Sequence, residues 1–382
     1  MTTVSVYVDY AATTPIDKEI LETILSSSEY FGNPSSIHQE GKRAKAYFEK
    51  NRRNIASAIG AEPEEIIITS GATEANNMAI RGIAAGNDTP HIITTEIEHA
   101  SVLSTIELLE QEGKCTVTYL SADESGLISP DELKSALTDK TVLVSIVLVN
   151  NETGVVQPMY DIQDVLSDHP AYLHVDAVQA VGHMEIDVND LKIDFLSLSG
   201  HKIYGPKGIG ALYHRSGIHL KALTTGGDQE KSRRAGTENI QWTEGLSLAL
   251  TKVRDNLTER TLKEMQLKEL FLTELTASEV PFEVNGDVNQ MSSHIINLHF
   301  PWTASEFLLT ALDMAGVYAS GGSACHAGTV QPSHVIKAMY DDERAGHSIR
   351  FSFSHLMSED DIKQIAASLK EIYTRLYESK MI

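Results

Sequence analysis

Apolar residues along this chain fall into two alternating rhythms. Short runs rich in Ile, Val and Thr occupy residues 65–69, 91–95, 115–120, 142–149, 171–175, 195–198 and 209–213, and their length and β-branched content predict strands. Between many of them the apolar positions recur with the period of a helix, at 73–85, 100–112, 130–137 and 158–166. Strand and helix in turn imply βαβ units, hence a mainly parallel sheet covered by helices. After about Gln241 the character changes. Residues 244–275 are rich in Leu, Glu, Lys and Thr with a helical period and carry the chain out of the first unit. Strand patterns at 281–284, 293–300 and 348–353, a helix near 305–314 and a closing helix over 359–377 predict a smaller α+β unit.

Composition narrows the classes. The chain has 382 residues, enough for two or three domains, and its 42% hydrophobic content is ordinary for a globular protein. A formal charge of −22 argues against nucleic acid or an anionic membrane as a direct partner. The two cysteines, Cys115 and Cys325, are too few for a disulfide framework, which fits a reducing cytoplasm. Residues 1–10 lack the basic and long apolar regions of a signal peptide, and the longest apolar runs are strand-sized.

Several strand ends carry polar groups. Asp176 follows one predicted strand and Lys202 the next, in the segments His174-Val-Asp176-Ala-Val-Gln179 and Ser199-Gly-His-Lys202. Alone, the pair reads equally as a salt bridge or as two solvated loop residues. Together they suit pyridoxal phosphate: a lysine to bind its aldehyde and an acid to keep its pyridine nitrogen protonated. Ser70-Gly71-Ala72-Thr73-Glu74 ends a strand and opens a helix, which is a phosphate site or an ordinary helix cap. His99 lies just past another strand, placed to stack on a ring or to cap a helix, and Asn150-Asn151 ends a fourth, as a ring-oxygen donor or a turn. Ligands of open α/β sheets bind at the carboxyl ends of the strands, so four such coincidences favour one cofactor site. Cys325 sits in Ala319-Ser-Gly-Gly-Ser-Ala-Cys325-His326-Ala-Gly328, a small-residue loop suited to a nucleophile that must travel, or a loop with an incidental thiol. Arg350, inside an apolar strand, needs an anion, either a substrate carboxylate or an internal acid. No Gly-x-Gly-x-x-Gly or Walker sequence supports a nucleotide reading.

These segments, with Val8-Asp9-Tyr-Ala-Ala-Thr-Thr-Pro15, Phe31-Gly-Asn-Pro-Ser-Ser36, Arg234-Ala-Gly-Thr237 and Ser348-Ile-Arg350-Phe, resemble in order the NifS/IscS-type cysteine desulfurases, in the class V branch of fold-type I pyridoxal-phosphate enzymes. The resemblance implies a mainly parallel seven-stranded sheet with helices on both faces, plus a smaller α+β domain. It places the large domain at 16–255 and the small domain, carrying the cysteine loop, at 1–15 and 256–382. It implies Lys202 as the cofactor lysine, Asp176 on the pyridine nitrogen and His99 on the ring face. Asn151 and Gln179 would meet the phenolic oxygen. Ala72, Thr73, Ser199 and His201 would hold the phosphate, with Thr237 reaching it from the partner of a homodimer. Arg350 and Asn33 would hold the carboxylate of L-cysteine, and Cys325 would attack its sulfur, with Lys202 and His99 as the other catalytic groups. The resulting persulfide would go to an acceptor protein, an iron–sulfur scaffold or a tRNA thiolase. No resident metal is implied, Cys325 being left open as a transient iron–sulfur ligand. His326, where relatives carry a small hydroxyl residue, is expected to lower the Cys325 thiol pKa when charged. The chain stops at Ile382, whereas the housekeeping branch has a tail that docks the scaffold, which leaves the acceptor open. The alternatives are a selenocysteine lyase or another class V pyridoxal-phosphate enzyme, and a sulfur-relay protein without turnover.

Overall fold

A computed structural model of the chain describes residues 5–322 and 332–379. All seven runs read as strands from the apolar pattern meet in one sheet. Its order is Ile66–Thr69, Gly210–His214, Phe195–Ser199, Tyr172–Asp176, Thr141–Val147, His91–Thr95, Thr116–Leu120. Every pairing is parallel except the two made by Gly210–His214. The connection from Ser199 to Gly210 is too short for a crossover helix, so this strand folds back antiparallel. Ile66–Thr69, antiparallel to it in turn, runs with the parallel set. Five strand ends carrying the candidate residues therefore open on one edge.

The sheet is buried on both faces, and the side-chain alternation divides its strands between two apolar layers. Ile66, Ile68, Val144, Ile146, Val175 and Leu198 join Ile20, Phe48, Ile55 and Leu250 from the helices Lys18–Ser26, Gln39–Ser57 and Ile240–Asp255. Ile67, Ile92, Leu143 and Leu212, on the other face, pack on Met78, Ile83 and Ile106 from Ala72–Ala84 and Ala100–Gln111. A third cluster is separate. It gathers Phe271, Leu298, Phe351 and Leu369 around an antiparallel sheet of Glu283–Val284, Ile295–His299 and Ser348–Ser352, with the N-terminal residues Val6 and Val8 packed into it.

The apolar period over 244–275 gives two helices rather than one. Ile240–Asp255 and Leu257–Ala277 are separated at Asn256, whose amide donates to Lys252 O at 2.8 Å. Asparagine competes in this way with the helix ladder, a local event that the apolar pattern does not register.

Gly210 holds the strand against the turn that opens the Ala72–Ala84 helix. A Cβ there would meet Leu198 O at 2.5 Å and Gly71 Cα at 2.8 Å, both main-chain atoms. Gly210→Ala is expected to lower stability by about 1–3 kcal/mol, as overpacking of a close-packed site does. An unchanged denaturant midpoint would show that the two main chains can move apart freely.

Candidate active site

The carboxyl ends of the parallel strands enclose a cavity of about 600 Å³. The helix Ala72–Ala84 opens onto it. Its cap residue Gly71 sits at φ 153°, a backbone conformation readily adopted only by glycine, and no side chain caps the helix. The first amides are left without helical partners at the positive end of the dipole. The 70–74 turn is therefore not an ordinary side-chain cap, and the amides at Ala72 and Thr73 face the cavity end of the helix.

His99 is the helix cap that the sequence allowed. It caps Ala100–Gln111, its Nδ1 accepting from Ser101 N at 3.1 Å and lying 2.8 Å from Ser101 Oγ, and its ring also lines the cavity. Burial, then Lys202, His334 and Arg350, push its pKa below the ordinary histidine value, against the pull of Asp176. The neighbouring turn is built by Asn150, whose Oδ1 accepts from Glu152 N and Thr153 N. Asn151 therefore remains for the cavity, and its Oδ1 is buried without a partner.

Asp176 is buried at the end of its strand. Its Oδ2 accepts from Asn76 Nδ2 at 2.8 Å and its Oδ1 from Val178 N at 3.1 Å. Lys202 sits on the turn Gly200–Lys202, with Nζ 2.6 Å from Ala11 O and 2.8 Å from Ala12 O. Gln179 donates to the same Ala11 O at 2.9 Å, so the N-terminal segment folds over the site and orients two of its side chains. Ser199 and His201 line the same wall. Burial, with the charges of Lys202 and Lys207, pushes His201 down to about 4, so it is neutral at pH 7.

Arg350 meets the internal acid that one of its readings called for. It pairs with Asp9 Oδ1 at 2.7 Å and donates to Asn151 O at 2.7 Å, while its buried Nε has no partner and the side chain lines the cavity. Two expected residues lie elsewhere in the protomer. Asn33 is exposed, its Oδ1 accepts from Ser35 N in its own loop, and it is not among the residues lining the cavity of this protomer. Thr237 lines an adjacent groove of about 260 Å³ that shares Ser70 and Gly208 with the cavity. Cys325 and His326 lie outside the described residues, but Gly322 forms part of the cavity wall.

The residues fit pyridoxal phosphate. A lysine amine, a buried carboxylate with two donors, an imidazole face, an uncapped helix N-terminus and an amide with spare hydrogen-bonding capacity share one enclosure. A separate trio, His183, Glu264 and His294, brings three ligand-type atoms within 4.8 Å. Arg260 and Lys268 act on the same cluster, which disfavours a cation there, and its link to the cavity is His294 Nε2 at 3.1 Å from Gln179 Oε1.

Sequence reasoning gave no role to Asn76, Ser101 or Glu98. Asn76 was detectable in principle, as the one polar residue on the buried face of its helix. Glu98 is wholly buried. Its Oε1 accepts from Thr95 Oγ1 and Val147 N, each at 2.8 Å, and its Oε2 has no partner. Burial pushes its carboxyl from an ordinary 4.5 up to about 8. Within that window the folded protein keeps a proton that the unfolded chain has lost, so this group makes stability fall as pH rises. Glu98→Gln is expected to lose less thermal stability than the wild type between about pH 5 and 8. Parallel pH profiles for the two proteins would exclude a neutral, buried Glu98.

The aminotransferase class-V family model matches residues 6–365. The chain is 46% identical over 376 residues to a putative cysteine desulfurase IscS 1 of Bacillus subtilis, with 97% of this chain and 99% of that one aligned. It is 42% identical to the cysteine desulfurase IscS of Methanosarcina thermophila, over 97% and 93% of the two chains. A solved NifS-like protein superposes with a TM-score of 0.91 at 31% identity, covering 97% of this chain and 100% of that one. Among the described residues no helix is long and apolar enough to cross a membrane.

Proposed function

This chain belongs to the aminotransferase class-V family and is a pyridoxal-phosphate-dependent cysteine desulfurase, and we propose that the cavity around Lys202 is where it takes sulfur from L-cysteine. The observation that carries the assignment is the convergence of Lys202, Asp176, His99 and the uncapped helix at Ala72–Thr73 on one cavity. When bound, pyridoxal phosphate supplies an electron sink that labilises the bonds around an amino acid's Cα.

The chain's own residues do the rest. Lys202 would hold the cofactor, and its amine would take the Cα proton of the substrate. Asp176, which accepts from Asn76 Nδ2 and Val178 N, would face the pyridine nitrogen and favour its protonated form. Ala72, Thr73, Ser199 and His201 would hold the phosphate, Asn151 and Gln179 the phenolic oxygen, and His99 the ring. Arg350 receives the substrate carboxylate, with Asp9 and Asn151 O fixing the guanidinium plane. The Cys325 thiolate attacks the substrate sulfur. A sulfur–sulfur bond forms, the substrate Cβ–sulfur bond breaks, Cβ gains a proton and Lys202 returns one to Cα, which leaves L-alanine and a persulfide on Cys325. That persulfide passes to an acceptor protein, an iron–sulfur scaffold or a tRNA thiolase, in the cytoplasm. The working unit is a homodimer in which Thr237 reaches the partner's phosphate. The separate apolar clusters support a large domain at 16–255 and a small one at 1–15 and 256–382.

Purified protein incubated with L-cysteine and a thiol reductant should release alanine and sulfide in equal amounts, and mass spectrometry should find the extra sulfur on Cys325. Alanine without sulfide, or extra sulfur on Cys115 alone, would overturn the assignment. Turnover confined to selenocysteine would favour the selenocysteine lyase reading.

A further inference from the structure

Asn76 lies one turn into the helix Ala72–Ala84 and is wholly buried. Its amide nitrogen donates twice, to Asp176 Oδ2 at 2.8 Å and to Ser101 Oγ at 2.8 Å. Ser101 Oγ thereby becomes an acceptor toward Asn76, and its own hydrogen points to His99 Nδ1, 2.8 Å away. The same Nδ1 also receives the main-chain N–H of Ser101 at 3.1 Å. A protonated Nδ1 could accept neither bond. Nδ1 is therefore a bare acceptor, and the ring proton belongs on Nε2. Charging the ring would set an Nδ1–H against two donors, at a helix N-terminus whose dipole also opposes a cation. The charges facing the ring are divided: Asp176 favours the cation, whereas Lys202, His334 and Arg350 oppose it.

We infer that Asn76 and Ser101 are positioning residues that lock His99 as the neutral Nε2–H tautomer and tie its orientation to Asp176 through one buried chain of hydrogen bonds. The inference rests on reading the Lys202 cavity as the cofactor site. It deepens that reading, because His99 then offers a fixed N–H donor rather than a group that titrates near neutrality. Asp176 and His99 cannot shift independently while Asn76 bridges them.

The test is histidine ring ¹⁵N NMR on the full chain, with and without pyridoxal phosphate, the His99 signals being assigned by their loss in His99→Gln. The wild type should show an unprotonated Nδ1 and a protonated Nε2 that do not titrate between about pH 5.5 and 8.5. In Ser101→Ala and Asn76→Ala the ring should titrate at a pH higher by about one unit or more, the scale of one lost hydrogen bond. Ser101→Thr, which keeps the hydroxyl, should restore the wild-type signals. A wild-type Nδ1 that carries the proton, or a Ser101→Ala spectrum like the wild type's, would overturn the inference. Should the wild type fail to develop visible absorption with pyridoxal phosphate, the cofactor reading falls, while the cofactor-free spectra still decide the relay.

Discussion

Lys202→Ala is expected to lower alanine and sulfide production from L-cysteine by about 10⁴-fold or more, the upper end of what one positioned acid–base group supplies. The argument is geometric. The amine sits 2.6 Å and 2.8 Å from Ala11 O and Ala12 O, two main-chain acceptors that orient it into the cavity shared with Asp176 and His99. Among the described residues no other lysine amine stands at a comparable place, since Lys207 is the one further lysine on that wall and its side chain is exposed. Lys202→Arg keeps the charge but not a nucleophilic amine, and is expected to be as inactive. Both variants should keep the wild-type thermal unfolding midpoint within a few degrees. A variant that turns over within tenfold of wild type would remove Lys202 from the mechanism.

Cys325→Ala should separate the reaction into halves. Removing an enzyme nucleophile costs on the order of 10³-fold or more, so sulfide, alanine and the protein persulfide should fall to background. The cavity residues are untouched. The variant should therefore still bind pyridoxal phosphate, with its visible absorption, and still exchange the Cα hydrogen of L-cysteine for deuterium in heavy water. Full alanine production by Cys325→Ala would reassign the chain to another class V chemistry. Loss of both halves would place Cys325 in the cofactor site itself.

Much of the fold was legible. The seven apolar runs became the seven strands of the main sheet because strands buried on both faces must be continuously apolar over their few residues. The break at Asn256 was not legible, because it comes from a side-chain hydrogen bond rather than from the apolar period. Five strand-end groups, Thr73, His99, Asn151, Asp176 and Lys202, were picked out by residue type and do share one cavity. Asn33 was carried over with its motif, and in this protomer it lies in an exposed loop outside the cavity lining.

Residue pattern and spacing determined the sheet and its helical cover, because these rest on local periodicity, whereas the cofactor class and the candidate nucleophile came from family motifs standing in order along the chain. Tertiary structure alone decided which alternative each strand end obeys. Whether the 70–74 turn is capped, whether Arg350 meets Asp9, and which nitrogen of His99 holds the proton all depend on partners up to 341 residues away in sequence. Hydrogen bonds in a buried, water-poor cavity are set by three-dimensional neighbours, and Asn76, unremarkable on its helix, acquires its place only when the sheet brings Asp176 and Ser101 to its amide.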